Sequence, residues 1–145
     1  KTGRQLRIEL CTETHKALLY SASDIDVLDE GQLLTHPFLS RVGPDILDRE
    51  LTEPHIVERL CDPAFRNRSL GSLYLDQRFL AGNGNYLRSE ILWAAGLDPR
   101  CRPAELAASE IDALAHETLR IARRSYRARG VTDLRRGGRM PPTLC

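Results

Sequence analysis

The chain has 145 residues, 41% of them hydrophobic and 28% charged, an ordinary globular composition with enough apolar material for one core. No run of about 18 apolar residues occurs, which excludes a membrane-spanning helix, and Lys1–Gln5 has no apolar run behind it, so it does not read as a signal peptide. The net charge of +1 hides an asymmetry: residues 1–65 hold 7 Lys/Arg against 12 Asp/Glu, whereas residues 66–145 hold 14 against 8, and all 14 are arginine.

Leu6-Arg7-Ile8-Glu9-Leu10 alternates apolar and polar residues with the period of a half-buried strand. His15–Tyr20 is a second short apolar run, and Thr12-Glu13-Thr14 between them is turn-like. The two form a hairpin, which is marginal alone and therefore belongs to a larger sheet. Residues 21–51 are punctuated by Asp24, Asp26, Asp29, Gly31, His36-Pro37 and Gly43-Pro44 and read as a linker with one helical turn near Asp29–Leu34.

From Thr52 the pattern is helical. Thr52 suits an N-cap, Ile56, Val57 and Leu60 mark one face, and Asp62-Pro63 ends the helix. The spacing predicts a second helix over 69–80, with Leu70, Leu73, Tyr74, Gln77 and Leu80 aligned and Gly82 ending it. A third runs over 85–95 and stops at Gly96. Arg102–Leu106 reads as a short helical turn. Ser109-x-x-Asp112 resembles a capping box opening a last helix, with Ile111, Leu114, Ala115, Thr118, Leu119 and Ala122 as its buried stripe and an end near Arg129-Gly130. The Arg-, Gly- and Pro-rich residues 131–145 read as a disordered tail. Tyr74 and Trp93 are expected in the core.

Cys11, Cys61, Cys101 and Cys145 form no C-x-x-C pair, so neither a zinc site nor a disulfide framework is expected, and reduced thiols are the simplest reading. The four histidines are scattered and suit surface or structural roles. The arginine excess fits a polyanionic partner, because the guanidinium fork matches phosphate; a high-GC genome would produce the same bias. Arg120, Arg123, Arg124, Arg127 and Arg129 cluster at a helix C-terminus, where they suit the helix dipole as well as a nucleic acid.

The segment richest in chemistry is Asp76-Gln77-Arg78-Phe79-Leu80-Ala81-Gly82-Asn83-Gly84-Asn85-Tyr86. Gly82 and Gly84 allow a sharp turn and close approach of a ligand to the backbone. Asn85 follows at a helix start, where amides and the dipole favour an anion such as a DNA phosphate. Asp76 can brace the turn. An ordinary glycine-capped corner between two helices is the competing reading. Arg66 and Arg68 lie just upstream and suit either phosphate contacts or a solvated surface.

The stretch Asp76-Gln77…Ala81-Gly82-x-Gly84-Asn85-Tyr86…Glu90 resembles the helix–two-turn–helix signature of the formamidopyrimidine-DNA glycosylase/endonuclease VIII family. Leu19–Ile25, Thr35–Leu39, Arg41–Asp45, Phe65–Arg68, Tyr86–Trp93 and Ser125-Tyr126-x-x-Arg129-Gly130 are similar to its bacterial endonuclease VIII branch. The resemblance implies a mainly α fold: a helix–two-turn–helix domain at 52–130, preceded by a linker at 23–51 and, at 1–22, by a β-hairpin left from an N-terminal β-sandwich. It implies a base-excision-repair DNA glycosylase/AP lyase that removes oxidised pyrimidines and cuts the strand at the abasic site. The implied partner is damaged double-stranded DNA, bound by a cytoplasmic monomer that uses no membrane. The implied DNA-binding residues are Asn85, Gly82, Gly84 and Tyr86, with Arg66 and Arg68; Asn85 would meet the phosphate beside the lesion. Asn83 stands where the family usually has an apolar residue. The family's nucleophile is an N-terminal proline followed by a glutamate, and its C-terminal zinc finger carries cysteines; neither has a match here. The chain therefore reads as a DNA-binding fragment with no catalytic residue, no metal ligand and no cofactor. A non-catalytic nucleic-acid-binding or interaction module built on the same motif is the alternative.

Overall fold

The computed structural model describes residues 3–130. It divides between Ser40 and Arg41 into two units. In the first, β1 (Leu6–Cys11) pairs antiparallel with β2 (Lys16–Tyr20), with Leu6 opposite Tyr20 and Cys11 opposite Lys16. Thr12 closes the turn: its hydroxyl accepts the His15 amide at 2.9 Å. Lys16 and Glu9 pair across the strands at 2.5 Å. Among the described residues the sheet has only these two strands, and Leu10, Leu18 and Leu19 are exposed, so the larger sheet expected from the sequence is not present there. The expected helical turn is α1 (Glu30–Thr35). Asp29 accepts the Gln32 amide at 2.8 Å and Gln32 accepts the Asp29 amide at 2.9 Å, a full capping box.

The second unit holds α2 (Glu53–Cys61), α3 (Leu70–Leu73), α4 (Asn85–Ala95) and α5 (Ala108–Arg127). α5 packs against both α2 and α4. The stripe read from its sequence, Ile111, Leu114, Ala115, Thr118, Leu119 and Ala122, is buried, as is Ile121. Residues 41–51, read as part of the linker, fold with this unit. Ile46 and Leu51 enter its core, and the Ala81 amide donates to Pro44 O at 2.9 Å while the Ile46 amide donates to Ala81 O at 3.0 Å. Turn-forming residues at Gly43–Asp45 concealed this pairing, because it lies across the fold and not beside them in sequence.

The caps follow local chemistry. At α2, Thr52 and His55 make the reciprocal contacts, and the Thr52 amide donates to His55 Nδ1 at 3.3 Å. Gly96 ends α4 at φ +71°, and the Leu97 amide reaches back to Leu92 O at 3.0 Å. α5 starts two residues earlier than Ser109 suggests. Ala107 is its N-cap, and its amide donates to Glu110 Oε2 at 2.8 Å. The longer glutamate reaches that amide, so the Ser109/Asp112 pair is not used.

Two further expectations change. Trp93 is 43% exposed, because Ile91, Leu92 and half-buried Leu87 occupy the core side of α4. Cys11 and Cys61 are free surface thiols, but Cys101 is buried and is not free. Tyr74 is in the core as expected. Thr118 donates to Leu114 O at 2.7 Å, so the Tyr74 hydroxyl donates to Thr118 Oγ1, also at 2.7 Å. Burial pushes the Tyr74 phenol well above its ordinary range, and it stays neutral. The tail expected at 131–145 lies outside the described residues.

Candidate nucleic-acid interface

The segment expected to be one helix over 69–80 is broken after α3, and the break makes the site. Tyr74 O would accept from the amide four residues on in a continuing helix. Here it accepts from Asn83 Nδ2 at 2.7 Å. The Arg78 amide instead donates to Asp76 Oδ1 at 2.9 Å. Asp76 therefore starts a second, separate turn, and its own carbonyl accepts the Phe79 amide at 2.9 Å. Local side-chain bonding of this kind competes with helix continuation.

The carbonyls of the second turn point into the fold and are taken from beneath. The Gly43 amide donates to Gln77 O at 2.9 Å. Arg59 of α2 donates through Nε to Phe79 O at 2.8 Å and through Nη2 to Arg78 O at 2.6 Å. Its guanidinium also lies 5.2 Å from the Phe65 ring centre, a cation–π arrangement. From above, Gln77 staples the glycine turn in both directions. Its Oε1 accepts the Gly82 amide at 3.0 Å and its Nε2 donates to Asn83 O at 2.9 Å.

Asp76 also gathers charge. Arg78 donates to it at 2.7 Å, and Arg68 pairs with the same oxygen. The Arg78 contact, followed by that of Arg68, holds the Asp76 carboxyl far below the usual carboxylate range despite its burial. Asn83, whose role the sequence left open, is only 2% exposed. Its amide nitrogen ends α3, and its Oδ1 is buried without a hydrogen-bond partner among the described residues.

The turn delivers Asn85 to the first position of α4. Its N-cap is Gly84, so no side chain covers the amides there. Gly82, Gly84, Asn85 and Tyr86 all face solvent. A cleft of about 530 Å³ beside them is lined by Gly82, Leu87, Ser125, Tyr126 and Arg129. Arg129 reaches it because α5 ends in a left-handed residue: Arg129 has φ +55°, and the Gly130 amide returns to Ser125 O at 3.0 Å. The structure thus brings four of the six expected residues together and adds Arg129 and Tyr126. Arg66 is exposed in the α2–α3 connection and lines a different cleft, with Pro103 and Ala104. Arg68 is committed to Asp76, so its first role is bracing the turn. Arg59 and Gly43 gave no sign of their role in the sequence; the paired donor and acceptor of Gln77, five residues before Gly82, was the one signal available.

The two glycines do different work. Gly82 has φ +81°, which costs a side-chain-bearing residue about 1–2 kcal/mol. Gly84 has extended φ and ψ, and a Cβ there would meet nothing within 4 Å. Gly82→Ala is expected to lower stability by about 1 kcal/mol or more. Gly84→Ala is expected to leave the unfolding free energy within about 0.5 kcal/mol of the original while weakening several-fold the binding of an anion that approaches those amides, since its methyl stands in the path. Parallel urea titrations and binding curves separate the two, and a Gly84→Ala protein that binds normally would show that nothing approaches that backbone.

Comparison with known proteins agrees with this geometry. The model of the formamidopyrimidine-DNA glycosylase H2TH domain matches residues 42–134. Proteins called Endonuclease 8 are similar: that of Enterobacter sp. (strain 638) is 54% identical over 133 residues, and that of Escherichia coli (strain K12 / DH10B) is 55% identical over the same length. Each match takes in 92% of this chain but 51% of the relative, so the chain spans about half the length of these proteins. Among solved structures, a complex of Lactococcus lactis Fpg with DNA containing an abasic site superposes with a TM-score of 0.58 at 22% identity, over 81% of this chain and 39% of that one. That similarity supports the fold.

Proposed function

The chain belongs to the formamidopyrimidine-DNA glycosylase/endonuclease VIII family, in its endonuclease VIII branch, and from that premise we propose that it is the DNA-holding half of a base-excision-repair glycosylase/AP lyase. The partner is damaged duplex DNA, and the lesions are oxidised pyrimidines. One copy of the chain acts on its target in the bacterial cytoplasm. We assign no catalytic residue within these 145 residues.

The observation that carries this reading is the stapled turn. Gln77, Asn83 and Asp76 spend their hydrogen bonds on fixing the backbone. What is left pointing outward is a set of uncapped amides, Asn85 and two glycines. A rigid, glycine-lined helix start is suited to a phosphate: donors are already aimed, and the dipole favours the charge. Arg129, on the rim of the same cleft, adds a cation. Tyr86 flanks the position and can pack against a sugar. Such backbone contacts fix the register of the duplex, and base recognition is supplied by other groups.

Asn85→Ala tests the assignment. Losing a neutral donor to a charged acceptor costs about 1.5 kcal/mol, so the Kd for an abasic-site duplex is expected to rise about tenfold. The helix content should not change, because the Asn85 side chain is exposed. An unaltered Kd would remove Asn85 from the interface.

A further inference from the structure

We propose that Arg123, Arg124 and Arg127 form a second phosphate-binding groove, on the side of α5 turned away from the cleft of the stapled turn, which grips the duplex backbone at a second point. This rests on the DNA-binding reading above and extends its footprint. The groove encloses about 680 Å³. It is lined by α5, from His116 through the arginine row Arg120 to Arg127, with Glu53 of α2 at its edge.

The charges in the groove are unequally spent. His116 and Glu53 pair with each other at 2.9 Å. Arg120 is held by Glu117 at 2.5 Å. Arg123 donates to the neutral Leu51 carbonyl at 3.0 Å, which positions the guanidinium without cancelling its charge. Among the described residues no carboxylate forms an ion pair with Arg123, Arg124 or Arg127. The negative end of the α5 dipole offsets about half a charge, and three cations exceed it.

The spacing suits a nucleic acid strand. Arg123 and Arg127 are one helical turn apart, about 6 Å along the axis, and a single DNA strand carries one phosphate per roughly 3.4 Å of axis. Guanidinium groups also take phosphate oxygens in pairs. The groove is separate from the proposed contact: Ala122, Ser125, Tyr126 and Arg129 of the same helix line the turn cleft, and the arginine row lies nearly half a turn round α5 from them.

The test is the salt dependence of duplex binding by the full chain, measured by fluorescence anisotropy between 50 and 200 mM salt. Each lost phosphate contact lowers the slope of log K against log salt by about 0.9. Arg124→Gln/Arg127→Gln is expected to lose about 2 from the slope, so its affinity deficit is about tenfold larger at the low-salt end than at the high-salt end. Asn85→Ala removes no charge and is expected to weaken binding with the slope unchanged. Both arginines are exposed, and matching circular dichroism confirms that the double variant folds. A double variant that binds with the wild-type slope overturns the groove while leaving the turn contact standing. No duplex binding by the unaltered chain overturns the DNA reading and the groove with it. Polyglutamate of matched charge is titrated in parallel; tighter binding of it than of the duplex, lost in the double variant, would give the groove to acidic protein segments and overturn the phosphate assignment.

Discussion

Gly43→Ala is expected to cost the helical unit about 3 kcal/mol, the upper range for forcing one methyl into a filled site. A Cβ at Gly43 would lie 2.5 Å from Arg78 O and 2.8 Å from Phe79 O. Both are backbone atoms, and both are already held by Arg59, so neither can swing aside. Relief requires the 43–46 segment to move off the second turn. That movement breaks the Gly43 bond to Gln77 O and strains the Ala81 bond to Pro44 O, each 2.9 Å long. The residue has no unusual φ, so the penalty is contact alone. Urea unfolding checks it: the midpoint should fall by more than 1 M if m is about 2 kcal/mol per molar, with m unchanged. Because the same segment supports Gln77, duplex binding should weaken even where the variant remains folded. A midpoint within error of the original would mean that the 43–46 segment is not packed on the turn.

Asp76→Asn is the second large effect. The carboxyl side chain is 11% exposed and accepts from Arg68, from the Arg78 guanidinium and from the Arg78 amide. The amide variant can still accept the backbone proton, but it loses the charge that holds two guanidinium groups. The expected loss is about 2 kcal/mol at neutral pH, the worth of hydrogen bonds to a charged group. The pH dependence follows from the direction of the shift. The folded carboxyl titrates below its ordinary 3.8, so its stabilisation is complete above that value. As pH falls through 3.8 the unfolded chain takes up the proton first, and the advantage shrinks until the folded carboxyl is also protonated. Wild type and variant should therefore differ most above about pH 5 and converge in strong acid. A constant gap between them from pH 6 to pH 2 would show that the charge is not the source.

Much of the helical unit was legible in the sequence because its signals are local. The end of α4 needed a residue tolerant of positive φ, and Gly96 supplies it. The α5 stripe repeats with the helical period, and its members are the buried ones. The Gly82–Asn85 turn carries glycines and a helix-start asparagine within four residues. The fold around it was less legible. Residues 69–80 have a helical period throughout, yet the helix stops after Leu73. What stops it is Asn83, nine residues on, taking the carbonyl of Tyr74. Arg68 likewise looked like a phosphate ligand, because its partner Asp76 is eight residues away and reaches it only once the turn has formed.

By itself the sequence determined that α2, α4 and α5 are helical, that Gly96 ends α4, and that Gly82–Asn85 is a turn leading into a helix start. These depend on backbone conformational preference and on the periodicity of apolar side chains, both of which act over a few residues. The tertiary structure decided that the second helix breaks, that Gln77, Asn83 and Arg59 hold the turn rigid, and that Arg129 shares its cleft while Arg68 does not stand free. Each of these depends on which buried carbonyl finds which donor, and on which charge is already neutralised. A buried polar group must be paired somewhere, but its partner is chosen by the packing of the whole unit.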